Sequence, residues 1–186
     1  MKRIFDLSLS LVLIFVFLIP AGIVALMVRL TSAGPVLYWS ERVGRKNVIF
    51  KMPKFRSMKL GAPVVATHVL ENPESLLTPI GGFLRKTSLD ELPQLWSILV
   101  GDMSFVGPRP ALFNQYDLIG LRSQFGVDEL VPGLTGWAQV NGRDEVSIEE
   151  KVQLDREYLA RKSLLFDLRI LFLTFFSVLS RDGVSH

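Results

Sequence analysis

An almost unbroken apolar segment from Ile4 to Val28 constrains the fold of this chain more than any other feature. The polar residues inside it are Asp6, Ser8 and Ser10. The segment exceeds the roughly 20 residues that a helix needs to cross a bilayer. A secretory signal is disfavoured, because the apolar run is too long and no small-residue cleavage site closes it. We therefore expect residues 1–30 to form a retained membrane segment.

A proline near the middle of this segment affects how it meets the membrane. Pro20 removes a helical hydrogen bond and clashes one turn back, so we predict a bend there. Lys2 and Arg3 precede the apolar run, and Arg29 follows it. Cations prefer the cytoplasmic face, and both flanks satisfy that preference only if the helix enters and leaves by the same side. We favour a re-entrant helix at the cytoplasmic face of the membrane over an ordinary transmembrane anchor.

The rest of the chain, residues 31–186, is long enough for one compact domain with its own core. Cysteine is absent, which excludes disulfides, thiolate catalysis and cysteine-ligated metals. The two histidines, His68 and His186, follow no metal-ligand spacing, so a zinc site or a Ser-His-Asp triad has little support. We predict an α+β fold, mostly helical, with a compact catalytic domain and interfacial amphipathic helices.

A basic segment follows the membrane region. Between residues 41 and 59 the cations are Arg42, Arg45, Lys46, Lys51, Lys54, Arg56 and Lys59, against the single acid Glu41. This position favours contact with anionic headgroups or a phosphorylated substrate, although a solvated charged face has the same composition. No recognition motif for nucleic acid accompanies the charge. Lys54 and Arg56 are our candidates for substrate binding in this segment.

The adjacent carboxylates Asp90 and Glu91 are the candidate catalytic pair. Ser88 and Glu91 match a helix capping box, but Pro93 argues against that interpretation, so we predict that the helix begins at Asp90 instead. The helix dipole would then keep Asp90 ionised and competent as a nucleophile toward phosphorus. Glu91 is suited to hold a divalent ion, expected to be Mg²⁺, against a diphosphate.

Cations on both sides of this pair are candidates for phosphate binding. Arg85 lies just upstream, and Arg109 lies in a loop that Pro108 and Pro110 make rigid. A glycine-rich loop over residues 131–143 ends in Arg143 and could approach phosphate or sugar with its backbone. Surface salt bridges and plain turns are the alternatives for these features.

Local patterns predict four more segments. They are a strand over 48–52 that ends at Pro53, an irregular loop over 61–79, a charged helix with solvated charges over 147–160, and a helix over 164–179. The last is too short and too often interrupted by charge to be a typical span. We expect an interfacial amphipathic helix, with a core helix as the alternative.

Four longer motifs stand out along the chain. They are Lys54-Phe-Arg-Ser-Met58, Ser88-Leu-Asp-Glu-Leu-Pro-Gln-Leu95, Gly101-Asp-Met-Ser-Phe-Val-Gly-Pro-Arg-Pro110 and Pro132-Gly-Leu-Thr-Gly-Trp-Ala-Gln-Val-Asn-Gly-Arg143. Together they resemble the bacterial sugar transferase family of monotopic phosphoglycosyl transferases, in particular its small PglC-like members. The resemblance implies transfer of a sugar 1-phosphate from a UDP-sugar to a polyprenyl phosphate such as undecaprenyl phosphate, with release of UMP. Such a reaction starts the synthesis of a glycoconjugate.

The resemblance also implies residue roles. Asp90 matches the family's nucleophile, which attacks the β-phosphate and forms a covalent phosphosugar intermediate. Glu91 matches the magnesium-binding glutamate, and Arg85 and Arg109 fall on basic positions near the diphosphate. The family's membrane helix usually breaks at Ser-Pro, whereas this chain has Ile19-Pro20.

Two other functions remain open at this point. A phosphohydrolase would use the same carboxylates, metal and arginines but would resolve the intermediate with water. A catalytically silent, membrane-bound assembly factor for polysaccharide synthesis would not need Asp90. The sequence does not select a sugar, and an exposed apolar face would support a homodimer in the membrane.

Overall fold

The computed structural model describes residues 1–65, 72–142 and 146–180, and helices predominate in it. The helices are α1 (Lys2–Thr31), α2 (Gly81–Lys86), α3 (Gln94–Val100), α4 (Tyr116–Gln124), α5 (Trp137–Val140), α6 (Ile148–Arg161) and α7 (Leu164–Ser180). The strands are β1 (Leu37–Val43), β2 (Ile49–Phe55), β3 (Ser104–Val106) and β4 (Gly133–Thr135). Short 3₁₀ turns lie at Arg45–Asn47, Pro73–Leu76, Leu89–Glu91 and Val127–Glu129. The predicted mixed, mostly helical fold is confirmed.

The strands form two small sheets. β1 pairs antiparallel with β2, and β3 pairs parallel with β4. The prediction that the second strand ends at Pro53 is wrong, because β2 continues through this proline to Phe55. A strand with a single neighbour tolerates proline, since the missing N–H can fall on its unpaired side. The loop predicted over 61–79 contains the 3₁₀ turn at Pro73–Leu76, and its residues 66–71 lie outside the described ranges.

The N-terminal segment forms one helix, α1, with Pro20 inside it. Within the described residues it is the one helix long and apolar enough to cross a membrane. Its exposed apolar side chains are Ile4, Leu11, Val12, Phe15, Val16, Leu18, Ile19, Ile23, Leu26, Met27 and Leu30. The assigned helix continues across the proline, so the bend at Pro20 stays a prediction.

Polar residues tie the start of α1 to the rest of the protein. The carboxylate of Asp6, which is 3% exposed, accepts hydrogen bonds from the Ser104 hydroxyl at 2.9 Å and from the Phe105 N–H at 3.2 Å. Lys2 lies 2.6 Å from Asp167 in an ion pair. Burial of a carboxylate costs free energy unless the group is hydrogen-bonded. Asp6 meets that condition through Ser104, which lies 98 residues later in the sequence.

The end of α1 is tied to the same domain. The buried Arg56 guanidinium donates hydrogen bonds to the Ser32 and Ala33 carbonyls, directly after the helix. Val24 and Val28 are buried with Phe55 in a core cluster. Both ends of the apolar helix therefore pack against one domain.

A larger core cluster lies beneath the candidate site. Its buried members are Met52, Leu95, Ile98, Met103, Phe105, Val106, Tyr158, Phe166 and Ile170. Leu9, Leu13 and Ile14 of α1 pack against this cluster, so the long apolar helix contributes to the core. The core thus joins α1, both sheets and the C-terminal helices.

The charged helix predicted over 147–160 is observed as α6, with a capping box between Ser147 and Glu150. The expectation that its charges are all solvated is wrong for Asp155, which is 1% exposed and pairs with Arg122. A pattern of charge along a helix does not reveal which carboxylate meets a cation from another helix.

The last helix, α7, is amphipathic, with Phe166 and Ile170 buried and Phe172 and Phe175 exposed. Asp167 on the inner side accepts a hydrogen bond from the Tyr158 hydroxyl at 2.7 Å. The inner face packs into the core, which accounts for a charge within an apolar helix. Contact of the outer face with lipid headgroups stays a prediction.

We expect Asp6→Ala to lower the free energy of unfolding by about 1–3 kcal/mol, because the Ser104 hydroxyl and the Phe105 N–H would remain buried without their acceptor. Thermal unfolding in detergent micelles measures the change. Ser8→Ala is the matched control, since Ser8 lies on the exposed side of the same helix. An equal melting temperature for the two variants would show that the Asp6 contacts do not stabilise the fold.

Candidate active site

The two adjacent carboxylates lie in the 3₁₀ turn Leu89–Glu91 between α2 and α3. The predicted helix start at Asp90 is wrong, because α3 begins at Gln94 with Pro93 as its N-cap. Pro93 has no N–H to continue an α-helical ladder, and the tighter hydrogen bond from Leu92 N–H to the Leu89 carbonyl precedes it. The rejected capping box is confirmed as absent, since the Ser88 side chain makes no capping hydrogen bond.

A cavity of about 710 Å³ brings most of the predicted site residues together. Its walls include Lys54, Arg56, Arg85, Asp90, Glu91 and Arg109. Arg143 lies outside the described residues, and Pro20 does not line the cavity. Five further cations that were not among the predicted site residues also line the cavity, namely Arg42, Lys59, Lys86, Arg122 and Lys151.

Burial dominates the electrostatics of Asp90, which is 6% exposed. Loss of water raises its pKa to about 6, while Lys54 and Arg85 lower it and the neighbouring Glu91 raises it further. This corrects the expectation that a helix dipole would set the ionisation state. The carboxylate is mostly ionised at neutral pH, but it is more basic than an ordinary aspartate.

The pKa of Glu91 is shifted in the opposite direction from that of Asp90. Its Oε1 lies 2.6 Å from Nζ of Lys54 in an ion pair, and its side chain is 24% exposed. Burial would raise the pKa of Glu91, but the charges of Lys54 and Arg109 and the Gln94 amide lower it to about 2. Two neighbouring carboxylates thus differ in pKa by several units, and Glu91 stays anionic throughout the physiological range.

Arg42 is a cavity residue that sequence reasoning missed. It lies on the same face of β1 as Tyr38 and Ser40, and all three line the cavity. Burial and the nearby Arg109 lower its pKa to about 10, so it remains charged at neutral pH. The alternation of side chains along a strand could have found it, had the strand been predicted.

Lys54 and Arg56, both predicted to bind substrate, have different surroundings. Lys54 pairs with Glu91 inside the cavity. The guanidinium of Arg56 is occupied by the Ser32 and Ala33 carbonyls at the end of α1. Contact of Arg56 with substrate stays a prediction, and its observed hydrogen bonds hold the membrane helix.

Few of the described side chains could coordinate a metal ion. Among the described residues, no group of three or more Asp, Glu or His side chains could enclose an ion. Glu91 supplies an ionised carboxylate, and Mg²⁺ commonly binds through one or two carboxylates with the remaining ligands from substrate phosphates and water. The site therefore fits Mg²⁺ only together with a phosphorylated ligand, and the ion stays a prediction.

The cavity has an apolar end as well as a charged one. Leu13 and Phe17 of α1 and Leu171 of α7 are part of its lining. α1 is the long apolar helix, and α7 carries exposed phenylalanines. One continuous space thus connects the carboxylate pair with the two most apolar helices.

The cavity thus has cations around two carboxylates, and residues of the long apolar helix α1 form part of its wall. The chain belongs to the bacterial sugar transferase family, whose model matches residues 1–181. The resemblance of the four motifs is thereby confirmed.

Individual relatives cover nearly all of this chain. A UDP-galactose-lipid carrier transferase from Erwinia amylovora is 40% identical over 98% of it, and a UDP-glucose:undecaprenyl-phosphate glucose-1-phosphate transferase from Escherichia coli is 40% identical over 95%. The chain spans only 41% and 39% of those two proteins. An uncharacterized sugar transferase from Bacillus subtilis, EpsL, is 39% identical, and 90% of its length is matched.

We expect Asp90→Asn to raise the free energy of unfolding at pH 8 by about 2–3 kcal/mol, since each pKa unit between folded and unfolded states corresponds to about 1.4 kcal/mol. The folded-state pKa of about 6 exceeds the ordinary value of 3.8, so the folded protein binds this proton more tightly. The contribution of Asp90 to the free energy of unfolding of the wild type is therefore complete at low pH, and it is lost as the pH rises through about 6.

Denaturant unfolding on both sides of pH 6 measures this difference. The advantage of Asp90→Asn should shrink as the medium becomes acidic. Asp102→Asn is the control, because it removes the carboxylate of an exposed aspartate that does not line the cavity. A variant no more stable than wild type at pH 8 would contradict the raised pKa.

Proposed function

We propose that this protein transfers a sugar 1-phosphate from a UDP-sugar to undecaprenyl phosphate and releases UMP, as the first step of glycoconjugate synthesis. The observation that carries the proposal is the buried, basic Asp90 in a cation-rich cavity that extends to the membrane helix. The names of the relatives from Escherichia coli and Salmonella typhimurium describe transfer of a sugar phosphate involving undecaprenyl phosphate.

The reaction proceeds in two displacements at the same phosphorus. An oxygen of Asp90 attacks the β-phosphorus of the UDP-sugar, the bond to the bridging oxygen breaks, and UMP leaves with that oxygen. The product is an aspartyl phosphosugar. A phosphate oxygen of undecaprenyl phosphate then attacks the phosphorus, and Asp90 leaves as a carboxylate. The raised pKa of Asp90 supports the first displacement, because a more basic carboxylate is a better nucleophile.

The cations around the pair bind the anionic substrates. Lys54, Arg85 and Arg109 line the cavity with Asp90, and they would offset the charge of a diphosphate. Glu91 would hold Mg²⁺ together with phosphate oxygens, and the ion would add charge neutralisation at the leaving group. Lys54 keeps Glu91 ionised until the substrate is present.

The first experiment measures UMP release by the protein in detergent with a panel of UDP-sugars, Mg²⁺ and undecaprenyl phosphate. We expect multiple-turnover release to require all three components, whereas without lipid the first displacement gives at most about one equivalent of UMP per protein. Turnover should fall about a thousandfold or more in Asp90→Asn, since the nucleophile is lost. Wild-type kcat/KM should also decline below about pH 6, as Asp90 becomes protonated.

Asp102→Asn controls for the loss of one carboxylate near the same helix. Repeated turnover without lipid, beyond about one equivalent of UMP per protein, would favour the phosphohydrolase instead. An Asp90→Asn variant that still supports polysaccharide synthesis in cells would favour the assembly factor. Full activity after chelation of divalent ions would exclude the role given to Mg²⁺.

We also propose that α1 is re-entrant and that the catalytic domain lies at the cytoplasmic face of the inner membrane. A straight helix of 30 residues is about 45 Å long, longer than the roughly 30 Å hydrocarbon core. Asp6 and Lys2 at its start and Val28 at its end all contact one domain. A span would put those two ends on opposite sides of the bilayer. The exposed apolar faces could also support a homodimer.

Cysteine labelling tests this topology cleanly, because the chain contains no cysteine. Ile4→Cys and Thr31→Cys place single thiols near exposed positions at the two ends of α1. We expect an impermeant maleimide to label both in inverted membrane vesicles and neither in intact spheroplasts. Labelling of one thiol from each side would establish a transmembrane span instead.

A further inference from the structure

We propose that Arg42 and the Arg122–Asp155 pair are positioning residues, which fix the guanidinium of Arg109 by holding the main chain of its loop. The inference deepens the proposed function, on which it rests for the identity of the ligand. It concerns three residues that the motifs do not single out.

Arg122 holds the loop from one side. Its Nη1 donates a hydrogen bond of 2.8 Å to the carbonyl oxygen of Arg109. Its Nε and Nη2 both donate to Oδ2 of Asp155, at 2.9 and 2.7 Å. Asp155 is 1% exposed and Arg122 is 8% exposed. The planar guanidinium thus connects α6 to the loop, and its orientation is fixed by two hydrogen bonds to one carboxylate.

Arg42 holds the next carbonyl. Its Nη1 donates to the carbonyl oxygen of Pro110 at 3.2 Å, and its Nε donates to the Ser40 hydroxyl at 3.0 Å. Ser40 is 2% exposed, so this anchor is part of the packed interior. Two consecutive carbonyls, from Arg109 and Pro110, therefore meet guanidinium groups from different elements.

The remaining atoms of the loop are also constrained. Gly107 N–H donates to the Thr135 carbonyl, and Gly133 N–H donates to the Pro108 carbonyl, both at 2.9 Å. A Cβ on Gly107 would lie 2.4 Å from the Val131 carbonyl oxygen, so the two backbones are in close contact. The loop cannot shift as a unit without breaking these contacts.

These hydrogen bonds fix the main chain around Arg109, and the Arg109 side chain is carried by that fixed main chain. The residue is exposed and lines the cavity with Asp90 and Glu91. A guanidinium on a fixed main chain loses less conformational entropy when it binds a phosphate than one on a mobile loop. Burial of an ion pair is in itself weak evidence for a stabilising role. The contact of Arg122 with the loop carbonyl gives the buried pair a role in the site.

A double-mutant cycle on the affinity for UDP tests the inference. We expect Asp155→Asn to weaken UDP binding about tenfold in the wild-type background and less than about twofold in the Arg109→Ala background, because both changes remove the same interaction. Ser40→Ala removes the acceptor of Arg42 Nε. It should weaken UDP binding about threefold in the wild-type background and less in the Arg109→Ala background. Isothermal titration calorimetry of the full chain in detergent measures the UDP affinity of each variant. Thermal unfolding checks that each variant is folded.

Glu129→Gln is the matched control, since Glu129 forms an exposed ion pair with Arg45 away from the cavity. Its affinity for UDP should equal that of wild type. Equal losses in the two backgrounds would overturn the positioning role, because Asp155 would then affect UDP affinity independently of Arg109. No loss in either background would overturn it as well. UDP binding does not require turnover, so the cycle can support the inference even if UMP release fails and the proposed reaction is rejected.

Discussion

The contact between the Asp6 carboxylate and strand β3 connects the membrane helix with the candidate site. Asp6 is buried on an apolar helix, and it accepts hydrogen bonds from Ser104 and Phe105. β3 leads directly into the loop that carries Arg109. The position of the membrane helix and the position of a cavity cation are therefore set through the same short strand, which explains why a charged residue is placed inside an apolar segment.

The neighbouring carboxylates show how one short turn produces two chemical environments. Asp90 is directed into the interior, where burial raises its pKa to about 6, and Glu91 meets the ammonium of Lys54, which with Arg109 lowers its pKa to about 2. A tight 3₁₀ turn gives adjacent residues different directions more sharply than a regular helix would. Pro93, which delays the start of α3, is thus the residue that permits this turn.

The sequence predicted those parts of the site that short motifs carry, and it missed those that depend on packing. Asp90, Glu91, Lys54, Arg85 and Arg109 were predicted and do line one cavity. Arg42 and Arg122 were missed because their roles come from contacts with residues 68 and 33 positions away. The helix start at Asp90 was wrong because local capping rules do not describe a 3₁₀ turn that precedes a proline. The pairing of Asp155 required knowledge of where α4 meets α6.

The two core clusters both contain residues of α1. Leu9, Leu13 and Ile14 pack against one cluster, while Val24 and Val28 are buried in the other. If α1 served only to attach the protein to a membrane, its removal would leave the two core clusters intact. Here, removal of α1 would uncover both clusters and one wall of the cavity. In this chain α1 is consequently a part of the folded core, so a different helix could replace it only if both clusters were repacked.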